Sequence, residues 1–403
     1  MLGAIADGET TIKGFLQGED TLATLRAFQQ MGVDIEQHND VVHIKGVGLK
    51  GLKKPEQALD LGNSGTSVRL LTGLLSGQAF DVELVGDESL MKRPMRRVID
   101  PLLLMNAKIN CSEKGTLPIK ITGRQKLKGI KYEMPVASAQ LKSCLLLAGL
   151  YADGKTTVIE KELTRDHTER MLSAFSHPVI RNGNNISISR ADKLVGTEII
   201  VPADFSSAAF FIVAAVITPD SDVILENVGI NPTRNAMLKI MELMGARIEL
   251  LNERDQSGEP VADIHIKSCE LKGIDIPEEY VAIAIDEFPA ILIAAACAKG
   301  ITRLTGAAEL RVKESDRIQS MLDGFNASGI EATASDDGMT ITGGRFKGGT
   351  VESHGDHRIA MAFAVAGMVA KEPITINNCD NVATSFPGFV ELAQQSGMDI
   401  SNV

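Results

Sequence analysis

Apolar and polar positions alternate along the chain in short runs that predict paired β-strands, and the same run recurs six times. The copies are MGVDIEQHNDVVHIKG from Met31, MNAKINCSEKGTLPIKITG from Met105, FSHPVIRNGNNISISR from Phe175, MGARIEL with ADIHIKS from Met244, SGIEATASDDGMTITGG from Ser328, and the shorter SGMDISNV from Ser396. Counted from Gly32 through Asn106, Ser176, Gly245 and Gly329 to Gly397, the intervals run from 68 to 84 residues. Half a period away a second pattern recurs five times: an apolar stretch rich in Ala and Gly, a turn, then a strand-like segment, as in SVRLLTGLLSGQAFDVEL and FPAILIAAACAKGITRL. Stretches apolar nearly all round predict helices buried on every side.

More polar helices are predicted over 21–31, 93–105, 166–175, 234–244 and 316–328. The unit therefore reads β-α-β-α-β-β, an α/β architecture with three units per domain. The domains are placed at 1–201 and 202–403, with the boundary near Val201 and Pro202. Both ends depart from the repeat. Only seven residues precede Gly8, where the complete copies have 14 to 17 between helix start and turn, so the start of one buried helix is expected to be absent. SGMDISNV supplies one strand of a pair, so the second domain is expected to lack its closing strand.

Composition narrows the function. The 403 residues, 44% hydrophobic and 23% charged, describe a soluble globular protein whose cores, with no Trp, are filled by Leu, Ile, Val, Ala and Met. A net charge of −11 argues against a general nucleic-acid binder and requires any anionic ligand to meet a local basic cluster. The five cysteines lack CxxC spacing, which disfavours a zinc site or disulfide framework and suits a reducing, cytoplasmic setting. No apolar run reaches the roughly 18 residues of a membrane span, and no signal peptide is predicted.

Each buried helix is preceded by a polar cluster: Asn63-Ser64-Gly65-Thr66, Ser138-Ala139-Gln140, Asp204-Phe205-Ser206-Ser207, Asp286-Glu287 and Asp356-His357-Arg358. Such residues cap free amide groups, and for Asp204 capping is the favoured reading. Arranged about a pseudo-threefold axis, like helix ends would converge and present N–H groups and positive dipole ends to phosphate or carboxylate. Three basic clusters fit that idea: Lys92, Arg93, Arg96 and Arg97; Arg311, Lys313 and Arg317 around Glu314; and His354, His357 and Arg358. Asp286 stands between an apolar run and a buried helix, where desolvation would raise its pKa towards that of a base. A metal held by His354, Asp356 and His357 is disfavoured by the adjacent Arg358.

LGNSGTSVRLL, GDESLMKRPMRRVIDPL, SAQLKSCLLLAGL, TRDHTERML, ELRVKESDRI, HGDHRIAMAFAVAG and ATSFPGF, in that order, resemble 5-enolpyruvylshikimate-3-phosphate synthases, and the third, fourth and last of these motifs resemble the glyphosate-tolerant branch more than the commoner one. The resemblance implies an inside-out α/β fold of two three-unit domains closing on substrates at their interface. It implies transfer of the enolpyruvyl group of phosphoenolpyruvate to the 5-hydroxyl of shikimate 3-phosphate, by a monomer with no metal or organic cofactor. Asp286 then resembles the group that takes the hydroxyl proton, and Glu314, with Lys313 beside it, the group that protonates the methylene carbon. Ser138, Ala139, Gln140, Arg165, Asp286 and Lys313 match shikimate-phosphate contacts. Gly65, Arg93, Gln140, Arg317 and Arg358 match phosphoenolpyruvate contacts, with Asn63 and His357 as further candidates.

Three departures accompany the match. Thr384 stands where the common branch has a Lys, Gly65 leaves open a spot that a bulkier residue fills in tolerant enzymes, and a Lys-Ser-x-x-x-Arg segment expected before MLGAIA is missing. Two rival readings are the sister transferase acting on a UDP-linked amino sugar, whose mobile loop carries a Cys where GDESLMKRPMRR has none, and an inactive ligand-binding form.

Overall fold

The six positions that mark the repeats share one backbone conformation. In the computed structural model, which describes residues 1–401, Gly32, Asn106, Ser176, Gly245, Gly329 and Gly397 all have positive φ, between 64° and 95°. They follow the helices Glu19–Gln30, Arg96–Leu104, His167–Ala174, Ala236–Leu243, Arg317–Ser328 and Phe389–Gln395. In every case the next residue's N–H donates to the carbonyl five positions back, as Val33 does to Phe28 (3.1 Å) and Ile330 to Phe325 (2.9 Å). That bond closes the helix, and the left-handed residue turns the chain into the following strand.

The chain divides into two compact units, Met1–Val201 with Gln256–Glu259, and Pro202–Asp255 with Pro260–Val403. In the first, three four-stranded sheets repeat one order. Glu198–Ile200, Asp7–Lys13, Val41–Val47 and Asp34–His38 form one; Leu59–Asp60, Val82–Val85, Ile119–Thr122 and Lys108–Asn110 the second; Lys131–Glu133, Lys155–Ile159, Asn185–Ser189 and Ile180–Asn182 the third. The leading pair is parallel in each, with a buried helix as crossover between Leu59–Asp60 and Val82–Val85 and between Lys131–Glu133 and Lys155–Ile159, and the hairpin behind it is antiparallel. In the second unit the leading strand survives as a parallel pair only between Gly349–Glu352 and Ile374–Asn377; in the other two repeats it shrinks to isolated parallel bridges, Ala203 to Val228 in one and Lys272 to Lys299 with Asp275 to Arg303 in the other.

The helices Gly65–Leu75 and Ala139–Gly149 cross inside the first unit, and Phe205–Ile217, Phe288–Cys297 and His357–Gly367 pack on one another inside the second. Val68, Leu71, Leu74 and Leu75 are fully buried, each such side chain contributing about 1.5–3 kcal/mol. Closeness depends on small residues: a Cβ built on Gly73 would lie 2.1 Å from the Cys144 carbonyl oxygen.

The ends correct the sequence reading. Gly3–Ile5 form one buried 3-10 turn, and Gly8 lies inside the strand Asp7–Lys13 rather than in a turn before it. Residues 396–401 form no strand, while Asn402 and Val403 lie outside the described residues. Met398 is buried, and Gln394 Nε2 donates to the Ile400 carbonyl at 2.7 Å, so the segment folds back on its helix. The alternation there is too short to hold a strand without a partner edge. The helix predicted over 93–105 begins only at Arg96, because Arg93 is extended ahead of Pro94.

Candidate active site

In the first unit two helix starts meet. Ser64 and Ser138 cap them, accepting from the amides of Ser67 (3.2 Å) and Leu141 (3.3 Å). Gln140 joins them, its Nε2 donating to Thr66 Oγ1 at 2.9 Å and its Oε1 accepting from Arg69 Nη1 at 2.6 Å. Arg93 Nη2 donates to Asn63 Oδ1 at 2.6 Å, and Asn63 Nδ2 to Asp87 at 2.7 Å. A Cβ on Gly65 would lie 2.9 Å from Arg93 Nη1 and 3.2 Å from Arg69 Nη1, so both guanidiniums converge over this glycine. Burial, then the neighbouring Arg97 and Arg93, lowers the pKa of Arg69. Two cations hydrogen-bonded to neutral amides at a helix N-terminus form a site for a phosphate or carboxylate.

The second unit presents a denser network of alternating charge. Arg317, 1% exposed, donates from Nε to Asp356 Oδ2 at 2.8 Å and from Nη2 to Glu314 Oε2 at 2.6 Å. Its Nη1 lies 3.6 Å from Asp286 Oδ1 and has no hydrogen-bond partner among the described residues. Lys313 Nζ lies 3.5 Å from the same Asp286 oxygen and 3.0 Å from Glu309. Asp286 is thus only partly buried and faces two cations, not the apolar surround inferred from its flanking runs. Arg358 Nη1 donates to the Asp286 carbonyl at 2.9 Å, while the Asp356 carboxylate caps the Arg358 amide. Burial opposes the charge of Arg358, but Asp286, Glu287, Asp204 and Glu314 outweigh it and raise its pKa. His357 is lowered to about 4, first by burial and then by Arg358. Arg358 and His357 line a small cavity with Asp204, Ser206, Ser385 and Phe386.

The family model for EPSP synthase (3-phosphoshikimate 1-carboxyvinyltransferase) matches residues 1–392. The chain belongs to the EPSP synthase family. It is 61% identical over 401 residues to the 3-phosphoshikimate 1-carboxyvinyltransferase of Methylococcus capsulatus, covering 99% of this chain and 92% of the relative. With that of Alkalilimnicola ehrlichii it shares 58% over 403 residues, covering 100% and 90%. A solved EPSP synthase from Acinetobacter baumannii superimposes with a TM-score of 0.94 at 59% identity, covering 99% and 92%. An enolpyruvyl transferase from Streptomyces tendae, 14% identical with a TM-score of 0.79, shares the fold; the match covers 100% and 92%.

Set against the EPSP synthase motifs, the two units gather the expected residues in two groups. Asn63, Gly65, Arg93, Ser138, Ala139 and Gln140 come together in the first, and Asp286, Lys313, Glu314, Arg317, His357 and Arg358 in the second. Arg165 follows Thr164, whose carbonyl is tied to the Ala139–Gly149 helix by Lys142 at 3.3 Å. The basic clusters divide. Arg311 bonds the carbonyls of Asp336 (2.8 Å) and Ser335 (2.5 Å) and pairs with Asp316, a loop-holding role, and Arg96 lies 3.7 Å from Asp100. Glu287, at the cap position of the Phe288–Cys297 helix, makes no side-chain capping bond, and Pro289 stands in its first turn.

Sequence reasoning missed Arg69, which sits five residues after the cap within an apolar run. It named Glu287 only as part of a polar helix start and gave Arg234 no role; Glu287 is fully buried and hydrogen-bonded by Ser206, and Arg234 reaches Ser206 at 2.6 Å and Asp204 at 3.0 Å. Burial raises the pKa of Glu287 against the pull of Arg358. The signal that points to these residues is a charge inside a segment otherwise destined for the core, since such charges are retained with partners.

Proposed function

We infer that this chain transfers the enolpyruvyl (1-carboxyvinyl) group of phosphoenolpyruvate to the 5-hydroxyl of shikimate 3-phosphate with release of phosphate, a step of aromatic amino-acid biosynthesis. The observation that carries the reading is the full-length identity to 3-phosphoshikimate 1-carboxyvinyltransferases, with their motif residues gathered at helix starts. Asp286 accepts the proton of the attacking hydroxyl, with Lys313 and Arg317 balancing its charge. Glu314 delivers a proton to the methylene carbon, giving a tetrahedral adduct; loss of phosphate and of a methyl proton then restores the enol ether. Arg93, Arg317 and Arg358, with Gln140 and the open space at Gly65, hold phosphoenolpyruvate. Ser138, Ala139, Gln140, Arg165 and Lys313 hold shikimate 3-phosphate; Asn63 orients Arg93, and His357 supplies a neutral imidazole beside Arg358.

The reading extends to a cytoplasmic monomer working on small anions. Among the described residues no helix is long and apolar enough to cross a membrane. The test is phosphate release from phosphoenolpyruvate plus shikimate 3-phosphate, with D286N and E314Q each lowering kcat by about 10²–10⁴. Turnover with a UDP-linked amino sugar in place of shikimate 3-phosphate would overturn it.

A further inference from the structure

Behind the Ala139–Gly149 helix lies a buried charge cluster to which the assignment above gives no role. Lys142 is fully buried one turn into that helix, its Nζ 2.7 Å from Glu160 Oε1 and 2.7 Å from Glu169 Oε1, and it also donates to the Thr164 carbonyl at 3.3 Å. Arg181 adds contacts of 3.0 Å to Glu160 Oε2 and 3.4 Å to Glu169 Oε1, and the Thr164 hydroxyl bonds Glu160. Next to Lys142, Ser143 accepts from the Thr168 hydroxyl at 2.7 Å. Two cations thus face two carboxylates, with Glu160 only 2% exposed.

An ion network is a costly way to fill a core, since apolar residues of like volume stabilise as well or better. What an ammonium adds is direction, because its three donors fix three acceptors at once. Here the acceptors are both ends and the middle of residues 160–169, and the residue after Thr164 is Arg165. The helix carrying Lys142 opens with Ser138, Ala139 and Gln140. We propose that Lys142, through Glu160, Glu169 and the Thr164 carbonyl, is a positioning residue that locks Arg165 to the Ser138–Gln140 helix start as one rigid edge for shikimate 3-phosphate. This rests on the functional reading above. Of the groups assigned to phosphoenolpyruvate only Gln140 lies on this edge, while Arg93 is held by Asn63 at another helix start, so the effect falls mainly on shikimate 3-phosphate.

The test compares the full chain with K142M, which keeps length without charge, and E169Q, which keeps shape. Titration calorimetry with shikimate 3-phosphate should show Kd raised about tenfold in K142M and about threefold in E169Q. At saturating shikimate 3-phosphate, KM for phosphoenolpyruvate should stay within about twofold and kcat within about threefold. Amide hydrogen exchange should rise in residues 160–169 and not in the Gly65–Leu75 helix. A folded K142M with unchanged affinity overturns the proposal, as does equal loss for both substrates. Should K142M not fold, unchanged affinity in E169Q is equally decisive. A wild-type chain that binds no shikimate 3-phosphate overturns the functional reading itself, a result visible before any substitution.

Discussion

Asp356 and Arg317 form a buried ion pair, Oδ2 to Nε 2.8 Å, with side chains 0% and 1% exposed. Burial works against the aspartate charge, but Arg317 prevails and holds its carboxyl below the usual range. The same carboxylate accepts from Ser315 (3.1 Å) and the Arg358 amide (2.9 Å), so it joins the RVKESDR segment to the start of the His357–Gly367 helix. Removing one partner of such a pair strands the other. We expect D356A to lower stability by about 3–5 kcal/mol and D356N, which keeps an acceptor, by about 1–3 kcal/mol, read by urea unfolding.

Substitution of Gly65 tests the arginine pocket of the first unit. The methyl of G65A would press on Arg93 Nη1 and Arg69 Nη1, the ends of flexible side chains, so the fold should survive while the guanidiniums move. We expect KM for phosphoenolpyruvate to rise about tenfold, with calorimetric affinity for shikimate 3-phosphate changed less than about twofold. Equal weakening of both would place Gly65 in a different role.

Arg69 is expected to act on the same ligand through Gln140. In R69M the Gln140 carbonyl loses its donor while the cap at Ser64 stays intact. A rise of about tenfold in KM for phosphoenolpyruvate, with a melting temperature within a few degrees of wild type, is the outcome that matches.

The imidazole of His357 gives a pH dependence of definite sign. Its pKa falls from 6.5 to about 4, by burial first and the Arg358 charge second, so the folded protein holds it neutral. Between those values the unfolded chain binds a proton that the folded chain refuses. Stability is therefore full above pH 6.5, falls as the pH drops towards 4, and changes no further below. Allowing for its partial exposure, the loss at pH 4 is roughly 1–3 kcal/mol. Denaturant titrations of wild type and H357Q from pH 7.5 to 4.5 should converge on this account, with the flatter curve in the variant.

The fold was legible because its repeat is marked by backbone geometry as well as by hydropathy. Gly32, Gly245, Gly329 and Gly397 adopt φ values that other residues disfavour, and Asn106 and Ser176 hold the same place at the same helix ends. Motif residues at helix starts were legible for a related reason: a polar cluster ahead of an apolar run has few other uses. The partners that hold them were not. Lys142 meets Glu160 and Glu169 at sequence separations of 18 and 27, and Ser206 meets Glu287 at 81. No local pattern encodes such pairings, because the charges become tolerable only once the fold has brought them together. The strand expected in SGMDISNV failed for the converse reason, since alternation states a preference and a ladder needs a neighbour.

The contact of Gly73 with Cys144 has a practical consequence. All five cysteines are free, and Cys144 is the buried one, its thiol pushed up to about 12 by the helix pair around it. A thiol protonated so firmly and reached by no solvent is silent to alkylating reagents until the crossing separates. Its labelling rate is therefore a built-in clock for opening of the first unit's core, while partly exposed Cys111 marks the rate at which the intact surface reacts.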